Sequence, residues 1–315
     1  MNGIPRLLIA SPHRYPDLAR LWHRVVMREL VPAFARLPVQ VEVNIFRDAN
    51  VEQFRQEWFP GTWFSESGSK IPDFMEFYDA ALKLDFEFVF FLDADTFFLN
   101  ADWAAAQFDA FRDPRVAAIS YVPRKGRAAS FALLCRVASY RSLPEPVLEC
   151  SYEFPEIWPK GVNLQVGDAA ARELAAQGDR IVNLSADDAE PHVAHFRSTT
   201  GIRAGREQVT RAVGEAVFLE TVANDRASLA AAYDNVLLGC LHEKLFGEPF
   251  ACNAAGVPLG GSLTWTELTG AVSAMRDEKL LGELRVRARQ SRENILRMAG
   301  REGVAIDVPT LLAGG

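Results

Sequence analysis

Several features are scarce or missing in this 315-residue sequence, and each absence excludes a class of protein. The four cysteines are scattered and form no Cys-x-x-Cys pair, so neither a disulfide scaffold nor a zinc knot is expected, and a cytoplasmic location is favoured (Cys135, Cys150, Cys240, Cys252). Basic residues are not in excess: the sequence has 34 Lys and Arg against 41 Asp and Glu, which gives a net charge of −7. Such a chain has no overall positive field for nucleic acid, so we expect no nucleic-acid partner.

Long apolar runs are missing as well. The run Phe88–Leu92 is among the longest and is flanked by Glu87 and Asp93, whereas a membrane span needs about 20 apolar residues. We therefore expect no membrane span. The first residues lack a basic region followed by a long apolar core, so no signal peptide is predicted. Leu7–Ala10 is interpreted instead as a first core strand that ends at a Ser-Pro loop signal.

Strand-like and helix-like segments alternate through the first two hundred residues. Apolar β-type runs predict strands, and apolar residues at helical spacing predict helices between them; the strands cover 7–10, 39–46, 86–92 and 116–122, and the helices 18–30, 72–84 and 101–111. The run 86–92 is apolar at nearly every residue, as in strands buried on both faces. The pattern predicts the α/β class, with helices on both faces of a sheet.

The character of the sequence changes near residue 205. Residues 206–247 and 264–300 are rich in Ala, Leu, Glu and Arg and mostly helical in pattern. We therefore predict two parts, an α/β part over 1–205 and a mostly helical part over 206–315 packed on it.

Two carboxylates stand directly after the most apolar strand, in Phe-Leu-Asp93-Ala94-Asp95-Thr. Residues two apart in a strand share a face, and a turn at the strand end can also bring both to one centre. Neighbouring carboxylates in an apolar setting repel each other unless a cation neutralises them. Oxygen ligands suit Mn²⁺ or Mg²⁺, which can bind a diphosphate with their remaining positions. The motif therefore predicts a divalent metal site, although Asp-x-Asp also occurs by chance in exposed turns.

The Asp-x-Asp motif follows an apolar strand, which in turn follows a predicted helix. With this motif, the sequence resembles the metal-dependent GT-A glycosyltransferases over roughly residues 4–203. The resemblance implies a Rossmann-like mixed, mostly parallel sheet and transfer of a sugar from a nucleotide-diphosphate sugar, a UDP- or GDP-sugar, to an unknown acceptor. In that family a downstream histidine often completes the metal site. His195 would then join Asp93 and Asp95 as a ligand, with His192 as the rival. The Lys-Pro-Trp that follows this histidine in some members is absent here.

The resemblance also implies a set of donor-binding residues. Ala10, Ser11 and Pro12 would contact the nucleoside, and Asp93 and Ala94 would lie beside it. Arg47 and Lys70 would approach the nucleotide. Arg197 and Ser198 supply a guanidinium and a hydroxyl suited to binding phosphate. The helical part beyond 205 would then shape the acceptor side or a homo-oligomer contact, away from the metal.

The catalytic base is the least defined element of the sequence. An inverting transferase needs a carboxylate to take the acceptor proton, whereas a retaining enzyme needs none of this kind. Asp187 and Asp188 follow the glycine-containing segment 161–167 as the family's acidic motif does, but without its Glu-Asp pair. Glu153 and Asp168 are further candidates.

Three other classes of protein remain open. A haloacid-dehalogenase-type Mg²⁺-dependent phosphatase also places two aspartates after an apolar strand, but Thr96 stands one residue too early for its Asp-x-Asp-x-Thr pattern. A sugar nucleotidyltransferase would need a glycine-rich loop where Ser11-Pro12-His13-Arg14 stands. The third is a non-catalytic protein that binds a carbohydrate or a sugar nucleotide.

Overall fold

The structure is a computed structural model that describes residues 3–48, 54–67, 74–121, 132–143, 168–196, 202–203, 206, 210–212, 214–223, 225–250 and 263–311. The chain divides into two compact units, Met1–Val193 and Ala194–Gly315. The division falls inside a short strand, ahead of the boundary expected near residue 205. The roles assigned to the two parts remain predictions.

The first unit alternates strands and helices, as the sequence pattern predicts. Its strands, the last of which crosses the division, are β1 (Arg6–His13), β2 (Gln40–Asp48), β3 (Thr62–Ser67), β4 (Phe88–Leu92), β5 (Thr96–Phe98), β6 (Val116–Ser120), β7 (Ala132–Arg136), β8 (Arg180–Asn183) and β9 (Val193–His195). Its α-helices are α1 (Pro16–Val25), α2 (Val31–Ala35), α3 (Phe74–Lys83), α4 (Ala101–Ala106), α5 (Val137–Arg141), α6 (Asp168–Ala176) and α7 (Ala186–Ala189). A π-helical turn over Val26–Leu30 joins α1 to α2.

Seven of these strands form one mixed sheet in the order β3-β2-β1-β4-β7-β6-β8. Neighbouring strands are parallel except that β7 runs antiparallel to both β4 and β6. The remaining strands, β5 and β9, form a separate two-stranded sheet. The predicted class, α/β with a mixed and mostly parallel sheet flanked by helices, is confirmed.

Strand β4 is buried on both faces, as its composition predicts. Phe91 contacts Phe77 on α3, at a centroid distance of 5.4 Å. The neighbouring Phe90 contacts Phe34 on α2 at 5.8 Å and Tyr121 at 4.9 Å. Because successive strand residues point to opposite faces, these contacts put helices on both faces of the sheet.

Strand β1 is longer than predicted, because Ser11 and Pro12 lie within it and not in a loop. Its pairing with β2 continues to His13, opposite Arg47, whereas its pairing with β4 ends at Ala10. Among the described residues, one side of β1 is therefore unpaired beyond Ala10, and a proline without an N–H is tolerated at such an edge. The loop signal was wrong here because the local pattern does not show the long partner strand.

Apart from the end of β9, the regular secondary structure described in the second unit is helical. Its longer helices are α8 (Glu215–Ala223), α9 (Arg226–Phe246), α10 (Trp265–Ala274) and α11 (Glu278–Arg301). Asp225 and Asp277 cap α9 and α11, and Thr264 with Glu267 forms a capping box at α10. Among the described residues, no helix is long and apolar enough to cross a membrane.

Candidate metal centre

Asp93 and Asp95 lie in a tight turn between β4 and β5. The backbone N–H of Thr96 donates to the carbonyl of Asp93 at 3.1 Å and closes this turn. Aspartate is favoured at the first position of such turns. The apolar strand thus ends in a turn that carries both carboxylates, as the sequence predicts.

The residues after β5 are bonded to the residues before β9. Both Leu99 and Asn100 donate their backbone N–H groups to the carbonyl of His192, at 2.7 and 3.3 Å. The Asn100 side chain in turn accepts from the N–H of Trp103 and caps α4. Because β5 follows Asp95 directly and pairs with β9, which ends at His195, this local fold brings a histidine to the carboxylate turn.

One ligand atom from each of Asp93, Asp95 and His195 lies within 4.8 Å of the other two. Two ligands on opposite sides of a small divalent ion stand about 4.4 Å apart, since metal–oxygen and metal–nitrogen bonds are about 2.0–2.2 Å. The cluster is therefore close to the size of a coordination sphere before any ion binds. Two carboxylates and one imidazole fit a divalent cation.

Charge and burial favour a cation at the same point. Only 5% of Asp95 is exposed, and Asp93 is partly buried beside it. Two negative charges so close together in a poorly solvated place repel each other, and a cation between them offsets that repulsion. Three protein ligands also leave positions open on a six-coordinate ion for phosphate oxygens or water.

His192, the rival to His195, has a different environment. Its ring stacks on Trp103, with centroids 4.5 Å apart and 26° between planes. Its carbonyl accepts the two N–H bonds that follow β5. Among the described residues, the carboxylate cluster includes His195 and not His192.

The candidate nucleotide-binding residues that the structure describes lie at the carboxyl ends of parallel strands. Ala10, Ser11 and Pro12 are in β1, and Arg47 is near the end of β2. These strand ends lie at the same edge of the sheet as the end of β4, directly before Asp93. In open α/β sheets, ligands bind at this edge. Ser11 is fully buried, and its hydroxyl has no hydrogen-bond partner among the described residues.

Arg47 is already paired within this edge. Its Nη2 lies 2.7 Å from Glu66 Oε1, and its guanidinium packs over the Phe64 ring at 4.7 Å. A diphosphate that uses Arg47 must therefore compete with Glu66. Four further candidates lie outside the described residues: Lys70, Glu153, Arg197 and Ser198.

Of the base candidates, Asp187 and Asp188 lie on the short helix α7, and both are exposed. The hydroxyl of Ser185 donates to Asp188 Oδ2 at 2.6 Å and accepts from the Asp188 N–H at 3.1 Å. Asp188 thus takes part in capping its own helix. Asp168 begins α6. Their role as base remains a prediction.

One residue that sequence reasoning missed is His13, at the end of β1. It is 1% exposed and packs against the Trp22 ring at 5.0 Å, and neither of its ring nitrogens has a partner among the described residues. Burial, together with the nearby His23, lowers the pKa of His13 to about 3. The imidazole is therefore neutral at pH 7. The period-two series Ile9, Ser11, His13 was the available signal, and the assumed loop at Ser11 concealed it.

The fold and the site together define an α/β protein with a carboxylate–histidine cluster at the carboxyl edge of its sheet. No family model and no curated protein matches the chain. The solved structures to which it is similar are nucleotide-sugar transferases and related enzymes.

One of them is a mannosyltransferase from Pyrobaculum calidifontis in complex with GDP-mannose and Mn²⁺, at 15% identity over 95% of this chain and 85% of that one, with a TM-score of 0.44. Another is glucosyl-3-phosphoglycerate synthase from Mycobacterium tuberculosis with Mn²⁺, UDP-glucose and phosphoglyceric acid, at 11% identity over 61% and 72%, with a TM-score of 0.40. A third is the glycosyltransferase GlyE of Streptococcus pneumoniae, at 11% identity over 70% of this chain and 52% of that one, with a TM-score of 0.36. At these identities the similarity concerns the fold alone.

Proposed function

We propose that this chain is a metal-dependent glycosyltransferase that moves a sugar from a nucleotide-diphosphate sugar to an acceptor. The observation that carries the proposal is the grouping of Asp93, Asp95 and His195, whose ligand atoms lie within 4.8 Å of one another at the end of the central strand. The site lies at the edge where open α/β sheets bind nucleotides. The family resemblance of the Asp-x-Asp motif points to the same reaction.

The donor set favours Mn²⁺ over Mg²⁺ as the ion. Mg²⁺ binds mainly through oxygen and usually keeps several waters. Mn²⁺ shares the preference for carboxylates, and the imidazole of His195 adds a nitrogen ligand of the kind that transition metals accept. When bound, the ion supplies neutralisation of the charge that develops on the departing diphosphate.

The other residues would hold the donor around this point. Ala10, Ser11 and Pro12 contact the nucleoside, and the buried Ser11 hydroxyl offers it an unused hydrogen-bonding group. Arg47 meets the nucleotide at the same edge, with Lys70, Arg197 and Ser198 as further phosphate donors. We propose a UDP- or GDP-sugar as the donor.

The acceptor hydroxyl loses its proton on transfer, and an inverting enzyme needs a protein base to take it. We propose a carboxylate among Asp187, Asp188 and Glu153 for this step. Asp188 is partly committed to capping α7 through Ser185. Asp187 is therefore the first to test, by asking whether Asp187→Asn lowers kcat while donor affinity stays unchanged.

A thermal-shift screen of nucleoside diphosphates with and without Mn²⁺ tests the proposal. A ligand at 100 times its Kd stabilises the folded state by about 2.7 kcal/mol, a rise of several degrees for a chain of this size. We expect UDP or GDP to raise Tm only when Mn²⁺ is present, and UMP or GMP to do so less. Equal shifts in Mn²⁺ and in EDTA would contradict the metal role.

Turnover then separates the remaining classes. A glycosyltransferase hydrolyses its sugar nucleotide slowly in Mn²⁺ and transfers faster once the acceptor is supplied. A phosphatase instead releases phosphate from monoesters such as p-nitrophenyl phosphate, and a binding protein shows Mn²⁺-dependent affinity with no turnover. Monoester hydrolysis that exceeds sugar-nucleotide hydrolysis would overturn the proposal in favour of the phosphatase.

A further inference from the structure

The backbone of the proposed ligand His195 is held by an arginine from the C-terminal helices. Nη2 of Arg287, on α11, donates to the carbonyl oxygen of His195 at 2.9 Å. The same nitrogen donates to Oδ2 of Asp234, on α9, also at 2.9 Å. One guanidinium nitrogen therefore connects a buried carboxylate to the end of strand β9.

Asp234 needs this partner, because only 1% of it is exposed. A carboxylate so far from water is tolerated when a cation and hydrogen bonds replace its hydration. Arg287 supplies both, and its side chain is itself mostly buried. The guanidinium is planar with donors in fixed directions, so its bond to Asp234 also fixes the direction of its bond to His195.

The carbonyl of His195 is separated from its ring by only the Cα and Cβ atoms. A donor that holds this carbonyl fixes the backbone from which the imidazole projects, and so limits the positions that the ring can reach. Groups bonded directly to metal ligands orient them, and removing such a group typically weakens metal affinity about 10–100-fold. A bond to the backbone of the ligand acts less directly, so a loss of about tenfold is expected.

We propose that Arg287, anchored by Asp234, is a positioning residue that holds His195 in the direction needed to bind the metal. This inference rests on the metal site of the proposed function. It assigns to the helical part beyond residue 205 a role at the metal site, where the sequence led us to expect none. Asp234 and Arg287 act only through His195.

The test measures binding of Mn²⁺ alone to the full chain, from the electron paramagnetic resonance signal of the free ion. Arg287→Lys keeps a cation beside Asp234 but loses the fixed fork, and we expect about tenfold weaker binding. Arg287→Met combined with Asp234→Leu removes both members of this ion pair together, so neither charge is left without the other and the variant should fold; we expect the same weakening. The exposed Arg289 on the same helix provides the control, and Arg289→Met should bind Mn²⁺ within about twofold of the original chain.

A double-mutant cycle with His195→Ala distinguishes positioning from general damage to the fold. Without the imidazole, Asp93 and Asp95 still give weak binding, and Arg287→Lys should lower it no further than about twofold. An equal loss with and without His195, or Arg287 variants that bind like the original chain, would overturn the inference and leave the metal site standing. If the original chain binds no Mn²⁺, or binds it equally after Asp95→Asn, the proposed function fails and the inference with it.

Discussion

Asp95→Asn is the sharpest single test of the metal centre. The substitution keeps the size and shape of the side chain and removes one charge from the group formed by Asp93, Asp95 and His195. Asp95 is almost entirely buried, so water has little access to replace its carboxylate at the metal. We expect the fold to survive and Mn²⁺-dependent diphosphate binding to be lost.

The size of the loss follows from distance and charge. The ligand atoms lie within 4.8 Å of one another, so an ion among them lies closer still to Asp95. One unit-charge pair at about 4 Å and an effective dielectric of about 20 is worth roughly 4 kcal/mol. That energy corresponds to about a 10³-fold change in affinity. The loss of repulsion with Asp93 should leave the metal-free chain equally stable or more so.

Isothermal titration of Mn²⁺ with GDP or UDP measures the affinity, and thermal melts in EDTA measure the metal-free stability. Asp109→Asn is the matched control, because Asp109 is an exposed aspartate that pairs with Arg112 on the surface. Asp109→Asn should leave both the affinity for Mn²⁺ with the diphosphate and the metal-free thermal stability unchanged. A Kd for Asp95→Asn within about tenfold of the original would refute the argument from charge and distance.

Three further results are expected. His195→Ala should weaken Mn²⁺-dependent diphosphate binding about tenfold or more and His192→Ala much less, and the reverse order in a titration would move the site to His192. Burial lowers the pKa of His13 from its usual 6.5 to about 3, so the folded state is fully stable with respect to this group above pH 6.5 and loses stability as the pH falls below that value. At pH 5 the buried neutral His13 should lower the free energy of unfolding by about 2 kcal/mol relative to pH 7.5. In urea melts, the free energy of unfolding of His13→Asn should therefore fall less between pH 7.5 and 5 than that of the original chain. An equal fall in the two proteins would contradict this assignment. Phe90→Ala should cost about 3–5 kcal/mol in the same melts and the exposed Ile4→Ala under about 0.5, so a small loss at Phe90 would contradict its place in the core.

The sequence was most informative where local pattern alone decides the structure. The apolar run before Asp93 predicts a strand buried on both faces, and the structure has β4 there, with Phe90 and Phe91 packed to opposite sides. The abrupt change from Phe-Leu to Asp-Ala-Asp predicts a strand end that carries two carboxylates. Neither conclusion needs knowledge of distant residues.

Features that depend on distant partners could not be read in this way. Ser11 and Pro12 carry a loop signal, yet pairing with β2 keeps them in β1. Arg287 stands among other charged residues of α11, and nothing local distinguishes it from the exposed Arg289. Asp234 does interrupt an apolar stretch of α9, which marks a buried charge but does not name its partner.

The bonds from Arg287 to Asp234 and to the carbonyl of His195 also bear on how this sequence can change over evolutionary time. Loss of the arginine alone takes a charged partner from a buried carboxylate, so substitutions at 234 and 287 should be inherited together. The contact to residue 195 uses its backbone, which every amino acid provides. A descendant could therefore exchange the histidine and retain the other two, whereas a descendant that keeps the histidine should rarely dispense with them.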